Sequence, residues 1–187
     1  MNLIISAILT TVLLWLFVNK FGYVLLDIPV KRSSHLTPTP RGAGVVFVLI
    51  TFFAACFHYS FTYSSFSLSI IFLLPLAIIG FVDDFIGLSV FFRFFIQVIT
   101  SLVLIRFSPL MFTISSLHPA YSCLLILFAV LFSVFFINIV NFVDGVDGLV
   151  AGCFLSLLAY FAYSSSSYPP VVFLTGSLVG FLVWNWS

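Results

Sequence analysis

The sequence predicts an all-α integral membrane protein, a polytopic bundle of about seven transmembrane helices. Three observations predict it. The 187-residue chain is 63% hydrophobic, with a mean hydropathy of +1.34. Only 6% of it is charged, whereas soluble domains carry roughly 25%. Its apolar runs are long and continuous, near the ~20 residues that cross a bilayer as a helix, and do not alternate as barrel strands would.

The first run covers residues 3–18. It is too long for the core of a cleaved leader, nothing basic precedes it, and no small-x-small cleavage site follows. Lys20 comes after it, which predicts an uncleaved helix with its N-terminus outside and its C-terminal end in the cytoplasm. The spans expected from run length are 2–19, 44–62, 67–82, 91–107, 120–139, 149–163 and 169–186. Polar, proline- or glycine-containing segments separate them. There is no internal repeat, and residues 1–187 read as a single transmembrane domain.

If the first helix ends inside, the third, fifth and seventh end there too. The segments after the first, third and fifth helices then share the cytoplasmic face. They hold Lys20, Asp27, Lys31, Arg32, His35, Arg41, Asp83, Asp84, Asp144 and Asp147, and Arg93 opens the fourth helix on the same side. Arg106 is the only charge left for the outer face, so the basic residues follow the positive-inside rule. All five acidic residues, none of them glutamate, also gather on that face, which the rule does not require. Charges near a bilayer are expensive and mark function, so the active site is expected at the cytoplasmic face.

Three stretches carry the chemistry. Asp27 to Gly44 holds three prolines, which stop a helix, and Lys31, Arg32 and Arg41, which offer donors to phosphate oxygens. A basic loop resting on anionic headgroups is the plainer account of it. Asp83-Asp84 places two adjacent carboxylates at a helix end, where the macrodipole disfavours them, so the pair needs a cation, a basic partner or one raised pKa. Arg93 and Gln97 lie one turn apart on the next helix, and a buried amide such as Gln97 must find a hydrogen bond. The third stretch packs Asn138, Asn141, Asp144 and Asp147 into ten residues, with Gly145 and Gly148 beside them. Helix capping by Asp147 or a turn at Asp144-Gly145 explains part of it but not the two asparagines upstream. Hard oxygen ligands of this kind suit Mg²⁺ held jointly with substrate phosphates. His58 and His118 are expected to be structural, and Cys56, Cys123 and Cys153 to be packing residues without a disulfide framework. The net charge of +1 suggests no nucleic-acid partner. The residues therefore suit a Mg²⁺-dependent reaction of a phosphorylated compound, one with a lipid tail, at the lipid bilayer.

Three ordered motifs resemble the polyprenyl-phosphate N-acetylhexosamine-1-phosphate transferases, glycosyltransferase family 4. They are Asp27-x-Pro29-x-x-Arg32-Ser33-Ser34-His35 with Pro38-Thr39-Pro40-Arg41-Gly42; Asp83-Asp84-x-x-Gly87-Leu88 followed by Arg93-x-x-x-Gln97; and Asn141-x-x-Asp144-Gly145-x-Asp147-Gly148. The first is most similar to the O-antigen-initiating branch, with Ala43 standing where that branch usually has glycine.

The resemblance implies transfer of a sugar 1-phosphate from a UDP-N-acetyl amino sugar to undecaprenyl phosphate, with release of UMP, in a bacterial inner membrane. It implies that Asp83 and Asp84 meet the polyprenyl phosphate, that Asn141 ligates Mg²⁺ with Asp144 near metal and diphosphate, and that Asp147 lies near the uracil. Lys31, Arg32, His35 and Arg41 would face the phosphates, and Arg93, Gln97, Asn138 and Asn185 complete the expected substrate-binding set. Mn²⁺ in place of Mg²⁺, a homodimer, and direct displacement or a covalent aspartyl intermediate all stay open. The family pattern continues past Trp184-Asn185-Trp186-Ser187 into a Pro-Ala segment and a Met-Gly-Asp metal motif, so the chain is expected to be the N-terminal part of a longer fold, inserting without turning over. Two other readings compete: a non-catalytic membrane remnant or binding subunit, and an intramembrane aspartyl protease, whose Gly-x-Gly-Asp segment is missing here.

Overall fold

The computed structural model describes residues 2–22, 26–27, 39–40, 42–63, 65–108, 110–143, 148–164 and 169–185. Among them, helices account for nearly everything: α1 (Asn2–Phe21), α2 (Gly44–Thr62), α3 (Ser65–Phe72), α4 (Leu74–Ile86), α5 (Val90–Phe107), α6 (Leu110–Ser115), α7 (Pro119–Val143), α8 (Leu149–Ser164) and α9 (Pro169–Asn185). The proline-bearing loop after α1 is closed by a two-residue antiparallel ladder, β1 (Leu26–Asp27) and β2 (Thr39–Pro40), with Asp27 opposite Thr39. Five helical stretches are long and apolar enough to cross a membrane: Asn2–Lys20, Gly44–Thr62, Ser67–Ile86, Val90–Phe107 and Pro119–Val143. Leu149–Phe161 and Pro169–Trp184 are apolar but shorter. Each of the seven expected spans falls on helix among the described residues, five of them long enough to cross, and the apolar helices fit a membrane protein.

Several boundaries differ from those read in the sequence. The third span is interrupted at Leu73, because Pro75 at the start of α4 has no N–H to continue the ladder. It then runs on to Ile86, so Asp83 and Asp84 sit inside its last turn and not after it. The fifth span continues to Val143, which puts Asn141 inside a helix. Both extensions follow from the same cause: once begun, a helix keeps satisfying its backbone groups as it leaves the hydrocarbon. The segment expected as a plain break before Pro119 contains the short helix α6.

The chain divides into two compact units, residues 1–57 with 143–187, and residues 58–142. In the first, α9 packs on α1 and α8 packs on α9. The α1–α9 seam is made of small and hydroxyl-bearing residues, with Ser6, Thr10 and Ser177 fully buried. A Cβ on Gly176 would collide with the Ser6 hydroxyl and the Leu3 carbonyl, and one on Gly180 with the Ala7 carbonyl. Such close approach is how helices gain packing in lipid, where burial of apolar surface gives little. The α1 hydroxyls satisfy themselves locally: Thr10 donates to the Ser6 carbonyl at 2.8 Å and Thr11 to that of Ala7 at 2.9 Å, whereas the buried Ser177 hydroxyl of α9 has no partner among the described residues. Leu14, Val46 and Ile50 form the core of this unit, and Phe47 meets Phe181 edge-on with centroids 5.4 Å apart.

In the second unit, Ile105 of α5, Ile114 of α6, and Val130 and Val134 of α7 make the core. The other faces of α7 are apolar and exposed, including the stacked series Phe128, Phe132 and Phe136. That is the pattern of a helix that meets lipid around most of its circumference. Away from the charged end, His58 Nδ1 lies 2.7 Å from the buried Ser67 hydroxyl and 3.3 Å from that of Thr62.

Candidate active site

The site is built in the second unit from the end of α4, the start of α5 and the end of α7. The connection from α4 to α5 is only Gly87-Leu88-Ser89. Gly87 adopts φ 62°, the left-handed conformation that ends helices, and its N–H donates to the Asp83 carbonyl at 2.9 Å. Ser89 then caps α5, its hydroxyl accepting from the Phe92 N–H at 3.3 Å. This tight reversal brings Arg93 back over Asp83.

Asp83 is held at both oxygens. Oδ1 accepts from the Leu88 N–H at 2.6 Å, and Oδ2 accepts from Arg93 Nη1 at 2.8 Å. The guanidinium supplies the basic partner that a carboxylate at a helix C-terminus requires. Asp84, one residue on, points about 100° around the helix and is exposed. The adjacent carboxylates therefore have different settings: one is committed to the α4–α5 corner, and the other faces outward.

One turn beyond Arg93, Gln97 is half-buried and bonds across to α7. Asn138 Nδ2 donates to Gln97 Oε1 at 2.8 Å and to the Val134 carbonyl at 2.7 Å. Asn141 is exposed in the last turn of α7, three residues on and on the same side as Asn138. The structure thus gathers Asp83, Asp84, Arg93, Gln97, Asn138 and Asn141 at one end of one unit. Asn185 closes α9 in the other unit, and its side chain is not among the described ones. Lys31, Arg32, His35, Arg41, Asp144 and Asp147 lie outside the described residues.

The sequence shows that Gln97 needs a partner but does not show that Asn138 provides it. The two are 41 residues apart, and only the antiparallel placement of α5 and α7 joins them. Among the described residues no group of three histidine, cysteine or acidic side chains could hold a metal ion. The exposed oxygen-bearing side chains there are Asp84, Asn138 and Asn141. That donor set suits a hard cation such as Mg²⁺ sharing its shell with phosphate oxygens, and does not suit a soft metal.

Carboxylates, amides and a guanidinium gathered at one end of apolar helices suit chemistry on charged groups at the bilayer edge. The family model described as Glycosyl transferase family 4 matches residues 65–187, and the chain belongs to that family. The match includes Asp83 to Gln97 and Asn138 to Gly148, and begins after the Asp27 to Gly44 loop. No curated protein and no solved structure gives a significant match. A membrane-embedded transferase of this family uses a lipid-phosphate acceptor and a nucleotide sugar.

Proposed function

We propose that the protein transfers an N-acetylhexosamine 1-phosphate from a UDP-sugar to undecaprenyl phosphate, releasing UMP, and so initiates a cell-surface polysaccharide of the O-antigen kind in a bacterial inner membrane. The observation that carries this reading is the outward carboxylate of Asp84 in one cluster with Arg93, Gln97, Asn138 and Asn141, at the end of apolar helices. A reaction joining a lipid phosphate to a water-soluble nucleotide needs such polar groups where the hydrocarbon stops.

In the direct form of the reaction, an oxygen of the lipid phosphate attacks the phosphorus that bears the sugar. A new P–O bond forms, the bond from that phosphorus to the bridging oxygen of the diphosphate breaks, and UMP leaves with the bridging oxygen and its electron pair. Mg²⁺, when bound, neutralises the diphosphate and makes UMP a better leaving group. Asn141 and Asp144 are the residues assigned to hold it. Asp84 orients the incoming phosphate and takes its proton where one remains. A phosphomonoester is mostly dianionic near neutral pH, with a second pKa of ~6, so orientation contributes more than deprotonation. Asp83, tied to Arg93, fixes the corner that presents Asp84. Asp147 is assigned to the uracil, and Lys31, Arg32, His35, Arg41 and Asn185 to the phosphates and sugar.

The test uses purified protein in nanodiscs. Mg²⁺-dependent binding of UDP-N-acetylglucosamine, followed by UMP release and lipid-linked product when undecaprenyl phosphate is added, supports the transfer. Binding without release favours a binding subunit. Absence of binding by UDP-N-acetylhexosamines overturns the reading.

A further inference from the structure

We infer that Gln97 is a positioning residue that locks the Asn138 amide, so that Asn138 meets ligands only as a hydrogen-bond or metal acceptor. The inference deepens the transferase reading and rests on it for the identity of the ligand.

The Val134 carbonyl fixes which way the Asn138 amide faces. A backbone carbonyl cannot donate, so the Asn138 atom 2.7 Å from it must be the NH₂ nitrogen. That settles the orientation of an amide whose two ends are otherwise interchangeable by a flip. The same nitrogen lies 2.8 Å from Gln97, so the Gln97 atom facing it must be its oxygen. A side-chain amide has two N–H donors, and both are then spent. What Asn138 has left is its carbonyl oxygen, on an exposed side chain at the end of the cluster. Gln97, with its oxygen turned to Asn138, keeps its N–H groups for other partners.

The two amides therefore have opposite characters. Arg93 and Gln97, one turn apart on α5, supply donors, which suit phosphate oxygens. Asn138 supplies an oxygen, with that of Asn141 one turn further along α7. Asn138 repels a phosphate oxygen and takes an electron-poor partner: a divalent cation, or a hydroxyl or N–H group of the nucleotide sugar. Without Gln97 the amide is held at only one hydrogen and can turn. Residues that orient a ligating group in this way typically change affinity by about 10–100-fold when removed.

The experiment compares wild type, Gln97→Leu and Gln97→Glu in nanodiscs, with three measurements. The first is the ¹⁵N-resolved side-chain signal of Asn138, assigned by its disappearance in Asn138→Asp. Slow exchange of both NH₂ hydrogens is expected in wild type and in Gln97→Glu, which keeps acceptor oxygens, and fast exchange in Gln97→Leu. Fast exchange in wild type overturns the lock, whatever the protein binds. The second is Mn²⁺ binding by paramagnetic resonance with the metal alone, and the third is binding of UDP-N-acetylglucosamine in EDTA. A loss of about tenfold in Gln97→Leu is expected in the measurement that reports the partner of Asn138, and in the metal measurement, where the Gln97 N–H donors take no part, it is restored in Gln97→Glu. Loss in the metal measurement identifies a cation, and loss in EDTA a substrate donor group. Equal affinity in all three proteins, or equal loss of the metal in both variants, overturns the inference while wild-type binding keeps the transferase reading. Failure of wild type to bind either probe overturns the transferase reading and the ligand assignment with it, and the exchange measurement still decides the lock.

Discussion

Arg93 donates from Nη1 to Asp83 Oδ2 at 2.8 Å and thereby ties the start of α5 to the last turn of α4. The pair is partly shielded, with side-chain exposures of 32% and 22%. It explains why an acidic residue is tolerated where the helix dipole is already negative. It also separates the roles of two adjacent aspartates that sequence alone treats as equivalent.

Breaking this pair should loosen the corner. Arg93→Ala and Asp83→Ala are each expected to destabilise the protein, with a coupling energy of about 1 kcal/mol in a double-mutant cycle. The reverse-charged double variant, Asp83→Arg with Arg93→Asp, should recover only part of it, because the Leu88 N–H then loses its acceptor. Unfolding in mixed micelles provides the measurement. Strict additivity of the two alanine variants would mean that the pair contributes nothing.

Asp84→Asn should behave differently from Asp83→Asn. The change at Asp84 is nearly isosteric and leaves the contacts of Asp83 with Arg93 and Leu88 in place, so it should cost less stability than Asp83→Asn. Transfer to undecaprenyl phosphate, measured in a form of the protein that turns over, should fall by roughly a hundredfold. Near-normal turnover at unchanged expression would reduce the pair to a helix end. Asp83→Asn should instead show its effect in the melting curve.

The seam between α1 and α9 offers a test of packing. A leucine at Gly180 would press on the Ala7 carbonyl and on Thr10, whose Cβ lies 3.0 Å from where an added Cβ would sit. Overpacking of this kind costs about 1–3 kcal/mol. Gly152 is the control, because a Cβ there meets nothing within 4 Å. Gly152→Ala should be neutral or stabilising by up to about 1 kcal/mol, since alanine is the better helix former. Equal tolerance at Gly180 and Gly152 would show that α1 and α9 do not approach closely.

Much of this architecture is legible in the sequence, and the limits are physical. Helix positions follow from apolar run length, because a bilayer imposes it. The ends are less legible: Asp83, Asp84 and Asn141 are polar and sit near turn-forming glycines, yet each lies inside a helix that outlasts its apolar run. Residue type shows that Asp83 needs a basic partner and that Gln97 needs a hydrogen bond. Which residue meets each need depends on chain geometry: the Gly87 reversal for Arg93, and the antiparallel run of α5 and α7 for Asn138. The pairing of α1 with α9 joins opposite ends of the chain and leaves no sign in composition or run length.

The cluster is expected at the cytoplasmic face of the membrane, and that placement can be tested. In the second unit the end of α4, the start of α5 and the end of α7 are joined by the Asp83–Arg93 and Gln97–Asn138 bonds, so they lie at one end. The start of α3 lies at the other, as does α6, which follows the far end of α5. Arg93 is at the first end and Arg106, beside Phe107, at the second. Basic residues accumulate on the cytoplasmic side, and Lys20 with the basic loop after α1 leads to the expectation that the first end lies there. The proposed reaction takes its nucleotide sugar from that side. Single cysteines at Gly87, Ser65 and Ser115, in a background with Cys56, Cys123 and Cys153 replaced, allow the test. An impermeant thiol reagent added to intact cells should label positions 65 and 115, and position 87 only after the membrane is opened. Labelling of position 87 from outside would invert the unit, separate the cluster from its nucleotide donor, and remove the transferase reading together with the topology.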